Sequence, residues 1–428
     1  METRVIGVLS TNGELSGKIK HACEAFHEDF EVDLFEEEDA FAQYLNYELP
    51  DLIVLDISDA TLRIRQLLGE LKNDPWLHFG GVILVYDQER VCVVSSAIRD
   101  INLISILEYG RIDFYMPRLL RILSHNRNIL YQRDLHALLS QNLSGSFVLD
   151  NDPFDLTTYS NLLANFLFNA NLVSHEQKDR FYVAIMELLV NAIEHGNCRI
   201  TYAEKSEYLD KGGDPMDLIR ERNQDPEINK KKVHLFYRIR PNVSTFRIRD
   251  EGEGFNWKKY QTPTGSDGLD ETHGRGIFMA THYLSNLTYN EKGNEVYFEL
   301  EHPMSESNAV PEMFLDRREV VFKDKEIVFT EGEKSSHLYY IVSGSFEVLY
   351  QDRRISILTS EDIFVGEMSF LLNNRRSATV RSIGQSVLLR VSKREFITAI
   401  KQKPHYALFL ARLLSQRLVR LRNGQIAP

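Results

Sequence analysis

Residues 366–380 read GEMSFLLNNRRSATV, and this stretch is the most specific in the chain. Two predicted strands, residues 327–333 and 338–344, precede it, and a helical pattern, residues 406–422, follows it. Short strands separated by Gly, Ser and Asp predict a β unit that closes with a helix. The charged residues of the stretch, taken alone, are of a kind that usually forms solvated surface pairs.

The stretch resembles the phosphate-binding cassette of cyclic-nucleotide-binding domains, and the resemblance covers roughly residues 314–422. It implies that Arg376 binds the cyclic phosphate, because a guanidinium gives two directed hydrogen bonds to phosphate oxygens. It also implies that Glu367 accepts a hydrogen bond from the ribose 2′-hydroxyl and that Ser377 completes the phosphate site. The remaining cassette residues implied to contact the ligand are Gly366, Met368 and Ala378.

Two positions near the cassette depart from the family's pattern. Glu361 replaces a usual glycine, and Val365 lengthens the turn before the cassette. The resemblance implies a cyclic nucleotide as regulatory ligand, with cAMP favoured over cGMP. A degenerate, empty pocket is the alternative.

The middle of the chain contains a helical pattern with two polar residues on one side. Residues 181–196 read FYVAIMELLVNAIEHG, an amphipathic pattern that ends in a glycine. Glu187 and Asn191 are four residues apart, so they project from the same face of the helix. A carboxylate beside an amide oxygen can serve as a base and a magnesium ligand. The alternative is two solvated helix positions.

Two glycine patterns follow this helix. Residues 246–255 read FRIRDEGEGF, a strand followed by Asp250 and two glycines, which let backbone approach a flat ring while the carboxylate accepts a hydrogen bond from an amine. Residues 273–277 read HGRGI at the start of a predicted helix, where exposed backbone N–H groups can bind phosphates. Each pattern alone is also typical of an ordinary turn.

The order and strand context of the three patterns resemble the N, G1 and G2 boxes of the GHKL ATPase superfamily, most closely the anti-sigma-factor serine kinases. The resemblance implies that Asn191 holds Mg²⁺ on the ATP phosphates. It implies that Glu187 removes a proton from a serine of a partner protein, or from a water, and that Asp250 binds the adenine amino group. The other implied ATP contacts are Gly252, Gly254, Gly274, Arg275 and Gly276.

The same resemblance gives expected roles to two neighbouring segments, and the sequence disfavours a sensor histidine kinase. Residues 256–273 are expected to form a lid over ATP, and residues 201–232 a charged surface element outside the catalytic machinery. Asn294 stands where many relatives have a threonine near the adenine. A sensor histidine kinase needs a phosphoacceptor histidine followed by an acidic residue and a proline, and neither His125 nor His136 has these neighbours.

The first part of the chain alternates short apolar runs with helical patterns, which predicts a doubly wound parallel sheet. The runs are residues 5–9, 52–55 and 82–85. Asp56, directly after the second run, resembles the phosphoacceptor of a response-regulator receiver.

Two departures from the receiver pattern affect this resemblance. Receivers carry an acidic pair after the first strand, where this chain reads Ser10-Thr11-Asn12, and a lysine after the fifth, where it offers only Arg111. Phosphoryl chemistry at Asp56 would then lack its metal and its counter-cation. The resemblance implies a pseudo-receiver used for dimerisation or docking, and a working phosphoacceptor is the alternative.

Length and charge limit the class of protein. A chain of 428 residues exceeds one ordinary hydrophobic core. Its net charge of −12 disfavours nucleic acid as a partner, because phosphate binding needs a basic face. No apolar run approaches the ~20 residues that span a bilayer, and three widely spaced cysteines predict reduced thiols. The sequence therefore predicts a cytoplasmic protein with no membrane or nucleic-acid partner.

The predicted fold class is a multidomain combination of α/β and α+β units. A receiver-like doubly wound parallel sheet occupies residues 1–115, and a linker helix, either a dimer seam or a docking helix, occupies residues 116–143. A GHKL α/β sandwich is expected over residues 144–301. A linker at 302–311 then leads to a cyclic-nucleotide-binding β-roll with flanking helices at 312–428.

Together these patterns predict a bacterial signalling protein, an ATP-dependent serine kinase of the anti-sigma-factor type, regulated by cyclic nucleotide. Its expected partner is an anti-anti-sigma-type protein, a sigma factor or a similar regulator, and a homodimer is expected. The alternative is a non-catalytic switch that binds both nucleotides and sequesters a regulatory partner. A structural protein with two relic pockets is a third reading, and Glu187 separates the first two.

Overall fold

The computed structural model describes residues 3–59, 62–74, 77, 80–87, 101–126, 129, 143–170, 172–240, 242–255, 257, 275–302 and 310–424. The chain divides into two compact units. One combines Met1–His125 with Ser305–Pro428 and holds the N-terminal and C-terminal domains, and the other, Asn126–Met304, is the middle unit. Among the described residues, every helix is too short or too polar to span a lipid bilayer.

The N-terminal domain alternates strands and helices along the chain. Its elements are β1 (Arg4–Leu9), α1 (Gly13–Glu24), β2 (Phe30–Phe35), α2 (Glu38–Glu48), β3 (Leu52–Asp56), α3 (Ile64–Asn73), β4 (Gly81–Tyr86), β5 (Leu103–Glu108) and α4 (Ile112–His125). The strands form a parallel sheet in the order β2-β1-β3-β4-β5. The inner strands β3 and β4 are apolar and almost wholly buried, as expected when helices cover both faces. The predicted doubly wound parallel sheet is confirmed, with one of the two common strand orders of that class.

Helix α4 places the end of this domain later than the sequence predicts. Its apolar side is buried, and Arg4 donates a hydrogen bond to the Leu123 carbonyl at 3.0 Å. Ser124 donates to Asp29 Oδ2 at 2.6 Å. Residues 116–125 therefore belong to the N-terminal domain and are not a separate linker, because the leucine pattern continues a helix that begins at Ile112. The rest of the predicted linker up to residue 142, apart from 126 and 129, lies outside the described residues.

The middle unit carries helices on an antiparallel sheet. Its elements are β6 (Leu143–Leu149), α5 (Pro153–Asn169), α6 (His175–Asn191), α7 (Tyr202–Asp210), α8 (Pro215–Arg222), α9 (Pro226–Asn229), β7 (Val233–Ile239), β8 (Val243–Asp250), α10 (Arg275–Tyr283), β9 (Ser285–Tyr289) and β10 (Glu295–Glu301). The strand order is β6-β7-β8-β10-β9. Helix α6 packs on the sheet through Phe181, whose ring centroid lies 5.1 Å from that of Phe246 on β8.

Residues 201–232 fold into the three short helices α7, α8 and α9. Thr201, Asp214 and Asp225 cap them by accepting hydrogen bonds from backbone N–H groups. Ile219 of α8 is fully buried. The segment thus has a packed side as well as the charged surface that its sequence predicts.

The C-terminal domain is an antiparallel β structure that ends in two helices. Its elements are β11 (Glu319–Phe322), β12 (Ile327–Phe329), β13 (His337–Tyr350), β14 (Arg353–Leu358), β15 (Phe364–Val365), α11 (Glu367–Leu371), β16 (Thr379–Ser392), α12 (Lys393–Gln402) and α13 (His405–Gly424). The long strands β13 and β16 pair along most of their length. The predicted β unit and its final helix are confirmed.

One local prediction before the cassette is wrong. Val365 does not lengthen a turn, because it is a fully buried residue of β15 and pairs with Tyr339 of β13. The turn lies earlier, where Ile363 has a positive φ of 63°.

Candidate functional site

Helix α6 carries the two polar residues of the first pattern. A capping box at Ser174 and Gln177 starts the helix, and its apolar face is buried. Glu187 and Asn191 are half-buried, and the described residues offer neither side chain a hydrogen-bond partner. Directly after Asn191 the chain continues as a π-helix, Ala192–Asn197, a rare geometry that often marks functional sites.

A pocket of about 340 Å³, open mouth included, lies at the end of α6. It is lined by residues of α6, the π-helix, β8 and the segment after it, and strands β9 and β10 with the turn between them. Among the lining residues are Asn191, His195, Asp250, Gly254, Tyr289 and Asn294. The first and second patterns therefore meet at one concave site.

Glycines close the back of this pocket because no side chain fits there. A Cβ on Gly252 would lie 2.3 Å from the carbonyl oxygen of Gly196, and a Cβ on Gly196 would lie 2.5 Å from Asp250 Cγ. Gly254 has a φ of +83° and approaches the Lys292 carbonyl. The segment after β8 therefore lies directly against the end of the π-helix on one side and against the turn between β9 and β10 on the other.

Asp250 lies at the bottom of the pocket with 7% of its surface exposed. Its Oδ1 accepts a hydrogen bond from the Gly252 N–H at 2.8 Å. Burial raises the pKa of this carboxyl to about 6, against the opposing effects of that hydrogen bond and of Lys292 and Lys231. A buried acceptor of this kind suits the exocyclic amine of a purine.

The raised pKa predicts a pH-dependent affinity for ATP. The carboxylate is the better acceptor, so affinity should fall as the pH drops through about 6, by about tenfold between pH 7 and pH 5. Calorimetric titration at several pH values measures this fall. The terminal phosphate of ATP titrates in the same range. The variant Asp250→Asn lacks the titrating carboxyl, so its pH profile shows the contribution of the phosphate alone. Parallel pH profiles for the two proteins would contradict the assignment.

A relay of buried amides fixes the segment around Asp250, and the sequence analysis missed it. Asn197, fully buried, accepts a hydrogen bond from the Glu251 N–H at 2.9 Å and donates to Asn151 Oδ1 at 2.8 Å. Asn151 in turn donates to the carbonyls of Ile228 and Lys231 at 2.8 and 3.2 Å. The relay ties the pocket to the end of the 201–232 segment. Its only sequence signal is that Asn197 directly follows the helical pattern.

A buried ion pair ties the other end of that segment to the π-helix. Lys205 Nζ of α7 lies 2.6 Å from Glu194 Oε2, and Glu194 is 1% exposed. Residues 201–232 are therefore anchored at both ends beside the pocket. The expected surface element is also part of the pocket's support.

Asn294, the departure from the threonine of related proteins, has a structural position at the pocket wall. It donates a hydrogen bond to the Asp250 carbonyl at 3.2 Å, and the Asp250 N–H donates to the Asn294 carbonyl at 3.0 Å. The side chain thus fixes the strand end that carries the carboxylate.

The third pattern is only partly described. Gly274 lies outside the described residues, as do 256 and 258–273 of the expected lid. Arg275 and Gly276 begin α10, which agrees with the predicted helix start, and the Arg275 side chain is not described.

The cassette brings Glu367 and Arg376 together in the C-terminal domain, 5% and 4% exposed respectively. Gly366 reaches its turn before α11 with a φ of 80°, and a Cβ there would lie 2.4 Å from Arg376 Nη1. Met368 and Ser377 are exposed, and the last assigned contact, Ala378, is buried. The two assigned charged residues are therefore both interior.

Arg376 is held by groups that the sequence did not predict. Nη1 donates to the Gly366 carbonyl at 2.9 Å and to Ser369 Oγ at 3.0 Å, and Nη2 donates to the His337 carbonyl at 2.6 Å. The guanidinium lies 4.0 Å from the ring centroid of Phe329. Burial lowers the pKa of Arg376, and its Nε has no partner among the described residues. A buried cation with an unused donor fits an anionic ligand.

Asp56 in the N-terminal domain has both carboxylate oxygens engaged. Ser10 donates to Oδ2 at 2.8 Å and the Ser58 N–H donates to Oδ1 at 3.0 Å, with Asp56 3% exposed. Arg111 pairs instead with Glu108 at 3.3 Å. Within the described part of the chain, no group of three or more His, Cys, Asp or Glu residues could hold a metal ion.

Comparisons with known proteins match two segments of the chain. The family described as histidine kinase-like ATPase domain matches residues 149–300, and the family described as cyclic nucleotide-binding domain matches residues 319–403. A cGMP-dependent protein kinase of Plasmodium berghei (strain Anka) is 30% identical over 139 residues, which are 32% of this chain and 16% of that protein. The Pycsar effector protein PaPycTIR of Pseudomonas aeruginosa is 33% identical over 111 residues, 26% of this chain and 35% of that protein.

Each similarity covers only part of this chain. The chain spans well under two thirds of the length of either relative. Among solved structures, the catabolite activator protein of Thermus thermophilus is similar with 24% identity and a TM-score of 0.25. That similarity covers 26% of this chain and 55% of that protein. The chain therefore contains a histidine kinase-like ATPase domain, within the middle unit, followed by a cyclic nucleotide-binding domain.

Proposed function

We propose that the protein is an ATP-dependent serine kinase of the anti-sigma-factor type whose activity is set by a cyclic nucleotide. Its substrate would be a serine of an anti-anti-sigma-type protein, and its other partner a sigma factor or similar regulator. The observation that carries the proposal is the placement of Asn191 and Asp250 on one pocket, with Glu187 one helical turn before Asn191.

The residues at the pocket fit Mg²⁺. This ion takes one or two protein oxygens and completes its shell with phosphate oxygens and water. Asn191 supplies an amide oxygen that has no partner among the described residues. When bound, Mg²⁺ neutralises charge on the phosphates.

The chain's own residues would act as follows. Asp250 accepts a hydrogen bond from the adenine amine and thereby orients the nucleotide. Glu187 takes the proton of the serine hydroxyl as the serine oxygen forms a bond to the γ-phosphorus. The bond between the γ-phosphorus and the bridging oxygen breaks, and ADP leaves.

The cyclic nucleotide would bind at the cassette, with cAMP as the favoured ligand. Arg376 supplies the charge for the cyclic phosphate, and Glu367 accepts the ribose 2′-hydroxyl. The ligand preference is tested by titrating cAMP and cGMP side by side.

The N-terminal domain would act as a pseudo-receiver in a homodimer. The support is at Asp56, where Ser10 occupies the place of a receiver's acidic pair and hydrogen bonds the carboxylate. Incubation with acetyl phosphate and Mg²⁺ should leave this residue unphosphorylated.

Replacing Glu187 with glutamine is the test of catalysis. The amide cannot accept the serine proton, so transfer to a purified anti-anti-sigma-type protein should fall at least about 100-fold. ATP affinity should change less than about threefold, because the side chain keeps its size and polarity. Phosphoserine formation and ATP titration measure the two quantities.

Glu176→Gln on the same helix is the matched control, since that side chain is exposed and pairs only with Arg180 among the described residues. It should leave transfer unchanged. If Glu187→Gln phosphorylates the partner as the wild type does, the kinase assignment is wrong. The non-catalytic switch that sequesters its partner would then replace it.

A further inference from the structure

A buried histidine joins the C-terminal domain to the N-terminal domain. His405, the first residue of α13, is fully buried, and its Nε2 lies 2.9 Å from Asp74 Oδ2 at the end of α3. Its Nδ1 lies 2.7 Å from Asn46 Oδ1 on α2. Asp74 is itself 2% exposed. Both domains belong to the same compact unit, and helices α13 and α2 are in contact.

The hydrogen bonds around this contact show which atom of the Asn46 amide faces His405. Asn46 Nδ2 donates to the Ala42 carbonyl at 2.7 Å, so the amide oxygen faces His405. Both ring nitrogens of His405 thus face oxygen atoms of the N-terminal domain. The contact is then a buried imidazole–carboxylate pair with a third polar partner. Buried groups of this kind hold one specific geometry, because a shifted register would leave them unpaired.

A continuous aromatic core leads from this contact to the cassette. His405 and Tyr406 rings lie 4.7 Å apart, and Phe314 lies between Tyr406 and Tyr340, at 5.7 and 6.1 Å. The ring centroids of Tyr340 and Phe364 lie 5.6 Å apart, and Phe364 begins β15, the strand that leads into the cassette. Burial, with the charge of Asp74, raises the pKa of Tyr340.

The phosphate-binding arginine contacts the same strand as Tyr340. Arg376 donates to the carbonyl of His337, which begins β13, and Tyr340 lies farther along that strand. A cyclic phosphate would compete for these guanidinium donors. Occupation of the cassette is therefore expected to disturb β13 and the core that packs against the buried histidine.

We infer that the N-terminal domain is the docking surface for α13 of the cyclic nucleotide-binding domain, latched by His405 on Asp74 and Asn46, and that cyclic nucleotide changes the strength of this latch. The second part rests on the proposed binding of cyclic nucleotide at the cassette. Because such coupling is reciprocal, weakening the latch must also change the affinity for the cyclic nucleotide.

Hydrogen exchange on the full chain tests the inference, with saturating cAMP and, separately, cGMP. Binding should change the exchange rates of amides in α2 and at the end of α3 severalfold. Asn46→Ala, which removes one of the two polar partners and leaves the Asp74 pair, should shift cyclic nucleotide affinity at least about threefold. His405→Ala should shift it further and abolish the exchange response. Thr398→Ala is the control, since its exposed hydroxyl bonds only within α12 among the described residues.

Calorimetry on the same samples separates the possible failures. Binding without any change of exchange in α2 and α3 overturns the latch and leaves the proposed function intact. If neither cAMP nor cGMP binds, both the latch and the proposed regulation by cyclic nucleotide are wrong, and calorimetry detects that case directly. If His405→Ala does not fold, an unchanged affinity in Asn46→Ala together with an unchanged exchange pattern still overturns the inference.

Discussion

Replacing Arg376 with alanine is expected to weaken cyclic nucleotide binding at least about 100-fold. The guanidinium is buried beside Phe329, and its Nε is an unused donor among the described residues. Hydrogen bonds to charged groups contribute about 1.5–3 kcal/mol each, and about 1.4 kcal/mol corresponds to a tenfold change in affinity. Two such bonds to a phosphate therefore account for the expected loss. Calorimetric titration with cAMP and cGMP measures it.

Arg375 gives the matched control one residue away. Its side chain is exposed and donates to the Gly332 carbonyl at 2.8 Å, so Arg375→Ala should change affinity less than about threefold. Arg376→Lys keeps the charge but not the planar fork, and should bind more weakly than wild type. Any effect of cyclic nucleotide on Mg-ATP affinity should disappear in Arg376→Ala. Wild-type affinity in that variant would show that the phosphate binds elsewhere.

Replacing Gly254 with alanine is expected to destabilise the middle unit by about 3 kcal/mol or more and to abolish ATP binding. The new Cβ would lie 1.9 Å from the Lys292 carbonyl oxygen, which is part of the backbone and cannot rotate away. The positive φ of +83° adds about 1–2 kcal/mol for a residue with a side chain, and overpacking adds about 1–3 kcal/mol. Scanning calorimetry measures the loss, and ATP identifies the transition because it stabilises the domain that binds it.

Gly212 separates the two causes. Its φ of +78° is nearly the same, but a Cβ there has no atom within 4 Å. Gly212→Ala should therefore lose only about 1–2 kcal/mol and keep ATP binding. Equal losses in the two variants would mean that the close approach to Lys292 contributes nothing.

The candidate residues of the two nucleotide sites could be predicted as local groups, because the members of each group lie close together in sequence. Asp250 ends one strand and Gly254 follows it, while Glu367 begins one short helix and Arg376 follows that helix. Local backbone geometry is enough to bring such residues to one place, so their spacing carries the information. The same holds for Glu187 and Asn191, whose separation matches one helical turn.

Contacts between distant segments were not predictable from any such spacing. The amides of Asn151 and Asn197 meet only in the folded chain, where the segment after β6 approaches the end of the π-helix, and ordinary loops contain the same residues. The end of the N-terminal domain was misplaced for a related reason. An amphipathic helix shows the same pattern whether its apolar side faces its own domain or a second chain. The sequence of residues 116–125 therefore could not show that this helix packs on the N-terminal domain.

The order in which the chain is synthesised gives the buried histidine a further consequence. Asp74 and His405 are 331 residues apart, with the whole middle unit between them. At about 5–20 residues per second, the N-terminal domain waits roughly 15–65 s on the ribosome before its partner helix emerges. During that time the Asp74 carboxylate and the Asn46 amide on the exposed docking surface are hydrated, whereas an apolar patch of the same size would favour aggregation. The polar latch thus suits a surface that must remain soluble in the nascent chain and then become interior.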